Sequence, residues 1–294
     1  MKIIYSPECA GYEMPGHPES PRRVLGSAEL LKQKPRHQFI AAQPCAEADV
    51  LRVHSKRLLE TVRSGDFQEP DTPSLAGIFG HALRSAGAAI QAAELAWKGE
   101  AAFSLMRPPG HHATKDQMMG FCYFNCIAIA VARLLEAKDG PKRVAIVDFD
   151  CHHGNGTQDI FYKHERVLYV SLHQYPCYPG TGLESAFNVH NYPVAPHTEE
   201  KYYLEVFDKA LGEVRKFGPD LIAASAGFDA YRRDPITQMG LELGTFAKIG
   251  QRLAALKRPM FAVLEGGYSA RLPKCIDAFL DGWELGVVPK EADE

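Results

Sequence analysis

Six short apolar runs rich in branched residues punctuate the chain: Lys2–Tyr5, Ala101–Met106, Val144–Phe149, Val167–Leu172, Leu221–Ser225 and Met260–Leu264. A half-exposed strand alternates apolar and polar positions, whereas runs this continuous suit strands buried on both faces. Between them lie helical patterns, including Leu75–Trp97, Cys122–Lys138, Lys201–Phe217 and Leu243–Leu256. Buried strands alternating with helices predict an α/β fold, a central and mostly parallel sheet with helices on both faces. No repeat, low-complexity segment or long linker interrupts the pattern, so a single domain is expected over residues 1–294.

Polar clusters follow the runs with regularity. Arg107–His112 comes after the second run, Asp148–Thr157 straddles the end of the third, and Ser171-Leu-His173 closes the fourth. Gly227-Phe-Asp229 and Glu265-Gly-Gly-Tyr268 close the last two. All of them therefore fall at the carboxyl ends of predicted parallel strands, where open α/β sheets bind ligands. One crevice can collect them.

Composition narrows the function classes. With 46% hydrophobic and 23% charged residues the chain can build a large core, and a net charge of −3 gives no basic field for nucleic acid. Seven cysteines, scattered and without a CxxC pair, suit reduced thiols in a cytosolic protein. No apolar segment approaches the roughly 18 residues that a membrane span needs. A soluble, cytoplasmic chain is the expectation, with homo-oligomerisation left open.

Asp148-Phe-Asp-Cys-His-His-Gly-Asn-Gly-Thr157 is the richest stretch. On a strand running into a loop, Asp148, Asp150 and His152 share one face at period two. Asp150 and His152 can bind one ion, and Asp229, ending another strand at the same edge, is the best third ligand. Three protein ligands with an open position for water make the catalytic form of a zinc site. Asp148 need not be a ligand and can orient an imidazole instead. Asn155 can cap a helix predicted at Gln158–Lys163. The glycine pair before Tyr268 allows a sharp turn that projects its phenol into the crevice as a hydrogen-bond donor to an oxyanion.

His111 and His112 are adjacent, and on an extended chain neighbouring side chains diverge, so one ion would not usually take both. His153 points away from the ligand face and reads as structural. His173 has no assigned role, and His17, His37, His54, His81, His164, His190 and His197 read as surface or packing residues.

Taken together, RPPGHHA (107–113), GFCYFN (120–125), DFDCHHGNGTQ (148–158), VSLHQYP (170–176), YPGTG (178–182), GFDAYRRDP (227–235) and EGGY (265–268) resemble the zinc-dependent histone deacetylase family. The motifs occur in the family's order and cover about residues 3–285. GNGTQ and GFDA look like its class II branch, with the bacterial deacetylase-like and acetylpolyamine amidohydrolase enzymes. The resemblance implies the arginase/deacetylase fold, with a sheet of about eight strands, and a hydrolase that removes acetyl or other acyl groups from lysine. It implies one zinc ion on Asp150, His152 and Asp229. His112 becomes the general base and acid, paired with Asn155, which displaces the cap reading. His111, paired with Asp148, stays largely protonated, and Tyr268 polarises the scissile carbonyl. Phe121 and Tyr178 wall an acyl-lysine tunnel with Gly120 beside them; the family commonly has Phe at the second position. Asp71 matches a rim aspartate that holds the substrate backbone. A structural potassium or sodium ion is implied around Asp148, Asp150, His152, Ser171 and Leu172, with a second near Phe161 and Val167.

The substrate is either an acylated lysine peptide or protein, or an acetylated polyamine. Ile236 matches the gatekeeper position at which polyamine-selective relatives carry an acid, so acyl-lysine ranks first. A non-catalytic acyl-lysine binding module would show the loss of a ligand, a tandem histidine or the tyrosine, and none is lost. A binuclear manganese ureohydrolase would need extra metal-binding aspartates that DFDCHHGN lacks.

Overall fold

Each of the six apolar runs forms a strand, and two segments outside them add one strand each. The structure, a computed structural model, describes residues 1–288. Its strands are β1 (Lys2–Tyr5), β2 (Gln38–Ala41), β3 (Ala102–Ser104), β4 (Val144–Asp148), β5 (Val167–Gln174), β6 (Val189–Val194), β7 (Leu221–Ala226) and β8 (Met260–Leu264). They make one sheet in the order β2-β1-β3-β8-β7-β4-β5-β6, parallel throughout. Every residue of β4, β5, β7 and β8 is buried, so the middle of the sheet is covered on both faces, as near-continuous apolar runs require.

The edges explain why two strands escape the pattern. Gln38–Ala41 is half exposed, and Val189–Val194 mixes buried and exposed positions and contains Pro193. Edge strands tolerate proline and polar side chains because one side of the ladder has no partner.

The helices are α1 (Arg22–Lys32), α2 (Glu47–Val50), α3 (Lys56–Ser64), α4 (Ile78–Trp97), α5 (Cys126–Glu136), α6 (Asn155–Phe161), α7 (Glu200–Phe217), α8 (Leu243–Ala254) and α9 (Leu272–Leu285). Three begin away from their predicted starts, the expected Leu75–Trp97 helix first, which starts at Ile78 after Gly77. The expected Cys122–Lys138 helix starts only at Cys126, because the Asn125 side chain accepts the Ala128 N–H and caps it there. The helix expected at Gln158–Lys163 runs instead from Asn155 to Phe161, with Gly154 at its N-cap. Asn155 is therefore not the cap, and its side chain is free for another partner.

The sheet order brings β3, β8, β7 and β4 side by side at the centre. These four strands lead into the loops carrying His111 and His112, Tyr268, Asp229, and Asp150 with His152. Among the described residues no helix is long and apolar enough to cross a membrane.

Candidate active site

The loop leaving β3 is anchored at both ends. Arg107 is fully buried and grips Glu19 with two hydrogen bonds of 2.7 Å, while donating to the Cys9 and Tyr12 carbonyls. Three residues on, the Gly110 and His111 amides both donate to the buried Glu265 carboxylate, at 2.7 and 3.1 Å. Held this way, residues 111 and 112 turn instead of extending, and both imidazoles reach one cavity with ring centroids 4.1 Å apart. The divergence expected of an extended chain does not occur, because the backbone there is a turn.

Their partners differ. His111 Nδ1 lies 3.1 Å from Asp148 Oδ2, and His112 Nδ1 lies 2.8 Å from Asn155 Oδ1. The Asn155 amide nitrogen faces the His112 carbonyl and the Met119 sulfur, which leaves Oδ1 as the acceptor. His112 must then carry its proton on Nδ1 and keep a bare lone pair on Nε2. Burial works against charge on His111, but Asp150 and Asp148 outweigh it and lift that imidazole to about 10. Burial, followed by the charges on His111 and His152, holds His112 well below 6.5. A cation on Asp150 would cancel that carboxylate's share and leave the Asp148 contact as the difference between the rings. Asp148 also accepts the Tyr169 hydroxyl at 2.9 Å and the Asp150 amide at 3.2 Å, so the shared proton stays on His111.

Below the histidines, Asp150, His152 and Asp229 bring one potential ligand atom each within 4.8 Å of one another, all three residues buried. The set fits a divalent cation. Asp229 Oδ2 is buried and accepts no aligned hydrogen bond, although His152 Nδ1 lies 2.8 Å away. Burial opposes charge on His152, yet Asp229 and Asp150 raise its pKa well above 6.5, so the cluster demands a positive charge. Two carboxylates and a neutral imidazole carry −2, the complement of such an ion. The Gly266 amide donates to Asp150 Oδ2 at 2.7 Å, and a Cβ on Gly266 would sit 2.4 Å from Asp229 Oδ2. Only glycine allows the β8 loop to pass this close.

The cavity above the cluster, about 220 Å³, is lined by Asp71, Pro109, His111, His112, Gly120, Phe121, His152, Tyr178, Ile236 and Tyr268. Phe121 and Tyr178 form its walls: Tyr178 meets His112 edge-on at 5.2 Å and Phe121 meets Tyr268 at 5.7 Å. Phe121 takes a φ of +68°, held by the Gly120 amide donating to Asp71 Oδ1 and the Phe121 amide to Thr72 Oγ1, both at 3.0 Å. Burial keeps the Tyr268 phenol protonated, well above its ordinary 10, although Arg23 opposes the shift.

Several contributors lie outside the residues read from sequence. Arg23 sits 4.7 Å over the Tyr268 ring and donates to the Gly267 carbonyl at 2.7 Å and to Glu19 at 3.1 Å. His17, taken as surface or packing, lies edge-on to Phe121 at 4.6 Å. Glu265 belongs to a quoted motif, but nothing along the chain connects it with residues 110 and 111.

The remaining predicted positions have clear placements. Asp148 pairs in register with Ser171 on β5, next to Leu172. His153 lies off the cluster, bonded to Thr181 and Gln158, and His173 is bonded to Ser171 and the Gly182 carbonyl. The Phe161 and Val167 carbonyls, expected near a second cation, both accept the Asn188 side-chain amide, at 2.7 and 2.9 Å. Asn188 Oδ1 in turn accepts the Lys163 amide, which fixes that orientation. Those two oxygens are satisfied within the chain.

The chain is also similar to known proteins. Residues 17–282 match the histone deacetylase domain family. A probable deacetylase of Archaeoglobus fulgidus is 38% identical over 312 residues, covering 97% of this chain and 84% of that protein. An acetylpolyamine amidohydrolase of Burkholderia pseudomallei is 43% identical over 196 residues, covering 63% of this chain and 56% of that protein. Among solved structures, the HD domain of HDA15 superposes with a TM-score of 0.89 at 31% identity, over 95% of this chain and 86% of that one.

Proposed function

Because the chain belongs to the histone deacetylase family, we propose that it is a zinc-dependent amidohydrolase releasing acetate from the acylated ε-amine of lysine in peptides or proteins. The observation that carries this reading is the unequal pairing of two adjacent imidazoles above a buried three-ligand cluster. Asp150, His152 and Asp229 would hold the ion, which when bound supplies Lewis acidity to a water and to the acyl carbonyl.

The protein groups do the rest. Neutral His112, its Nδ1–H committed to Asn155, takes a proton from the attacking water through Nε2. His111, kept charged by Asp148, places positive charge beside the negative charge that develops on the acyl oxygen. The Tyr268 hydroxyl donates a hydrogen bond to that oxygen. His112 then returns its proton to the departing amine, so that acetate and a free amine leave. Phe121 and Tyr178 flank the methylenes of the acyl-lysine and exclude water, Gly120 leaves room beside them, and Asp71 meets the substrate at the rim. A structural potassium or sodium ion would use main-chain oxygens around Asp148, Asp150, His152, Ser171 and Leu172, since the Asp148 and Asp150 carboxylates are already engaged. The family match over 17–282 supports one catalytic domain, and seven free cysteines support a reducing, cytoplasmic setting.

The second reading, an acetylpolyamine amidohydrolase, is favoured by the Burkholderia relative. A polyamine carries a second ammonium group to the mouth. There Ile236 offers it no charge, and Asp71 Oδ1 is already bonded to the Gly120 amide and the Thr72 hydroxyl. Rates on acetyl-lysine peptides and on acetylated polyamines, measured side by side with one defined zinc per chain, separate the two. Faster turnover of the peptide is expected, and a strong polyamine preference reverses the ranking.

A further inference from the structure

The loop that follows β7 carries a cluster residue at its start, Asp229, and a wall of the cavity at Ile236. Between them stands Asp234, 7% exposed, with its carboxylate turned inward. Its Oδ1 accepts the Ile236 amide at 3.1 Å. Its Oδ2 crosses to the β8 loop and accepts the Tyr268 amide at 2.7 Å and the Ser269 amide at 3.2 Å. Both loops are irregular here, so these amides belong to no helix or strand. Just before Tyr268 the chain turns through Gly267 at a φ of +118°. A tyrosine placed after so sharp a turn needs something to fix its direction.

We propose that Asp234 is a positioning residue that locks Tyr268 and Ile236 into one rigid body, so that the hydrogen-bond donor and the gate of the cavity are set by a single carboxylate. The inference rests on the role proposed above for Tyr268. A carboxylate suits the task because it presents acceptors on both sides and no donor. Asparagine, of nearly the same shape, can serve only one side and turns an N–H against an N–H on the other. Burial, and then the nearby Asp229, push the Asp234 carboxyl up to about 7, while the three amide hydrogen bonds favour its charged form. The coupling also has a direction: a change at the gate reaches the chemical step through Tyr268, without a contact between the two side chains.

A double-mutant cycle on the zinc-loaded full chain tests this. Asp234→Asn should lower kcat about tenfold or more, because small misplacements at a reacting centre are costly, with a smaller rise in KM from the freed Ile236 wall. In a Tyr268→Phe background the same change should cost almost nothing, since the donor it positions is already gone. An equal fold-loss in both backgrounds overturns the inference. A fully active Tyr268→Phe chain would sink the role of Tyr268 itself, and this inference with it, before Asp234 is touched. Removing a buried carboxylate can unfold a chain, so amide exchange on the unmodified protein gives an independent reading. The Tyr268, Ser269 and Ile236 amides should be protected despite lying in loops, and rapid exchange at Tyr268 overturns the inference whatever the variants do.

Discussion

Replacing Tyr268 by phenylalanine removes one hydroxyl while the ring keeps its places under Arg23 and against Phe121. Under the proposed mechanism kcat should drop about a hundredfold or more, the typical loss for one oxyanion donor, with the metal content of the chain unchanged. Asn155 offers a subtler test. A carboxylate in its place would favour a charged His112 and raise its pKa. A base protonated to higher pH works only above it, so in Asn155→Asp the acid limb of the kcat/KM profile should move to higher pH. A profile that stays put would separate His112 from the role of base. At this scale the residue types were legible along the chain, while the partners Asp148 and Asn155 came only with the family resemblance. The turn at residues 111 and 112 is set by Glu265, 154 positions away, and local pattern alone makes Asn155 a cap, although it reaches across 43 positions to His112. Both are contacts between loops of different strands, which no local pattern encodes.

Among the elements, the β8 loop carries the tightest constraint. In Gly266→Ala the new methyl would lie 2.4 Å from Asp229 Oδ2 and 2.5 Å from Asp150 Oδ2. Overpacking of this kind costs about 1–3 kcal/mol, and here it falls on two of the three cluster residues. The variant should fold yet retain much less than one metal per chain after dialysis, measured by elemental analysis; full retention would show that the loop yields. The strands of the sheet's middle were readable because both of their faces are apolar, and β2 and β6 were not because an edge strand need satisfy neither condition. Helix starts were misplaced where capping decided them, at Asn125 and Gly154, since a cap is a backbone event that apolar periodicity does not record.

Across the whole molecule, burial of neutral histidines shapes the response to acid. Burial is the main cause that lowers His54 to about 4, His37 to about 4 and His173 to about 3. His54 makes the reason plain: Nδ1 donates to the Thr114 carbonyl and Nε2 accepts the Asn125 amide, so a second proton has no place. With folded values below the unfolded 6.5, the unfolded chain takes up protons first as pH falls. Stability from these groups is complete above about 6.5 and declines towards about 4. His54→Gln, which keeps a donor and an acceptor but takes up no proton, should therefore lose less melting temperature than the unmodified chain between pH 7 and 4.5, and an identical pH response would contradict it. The sheet order has a consequence for how the molecule comes into being. β8 lies between β3 and β7, although seven strands precede it in the chain. Without β8 the sheet divides into two parts, β2-β1-β3 and β7-β4-β5-β6, each with a bare edge where β8 enters. Asp150, His152 and Asp229 all hang from the second half, and His111 and His112 from the first. The last strand made is the one that joins the half bearing His111 and His112 to the half bearing the three-residue cluster.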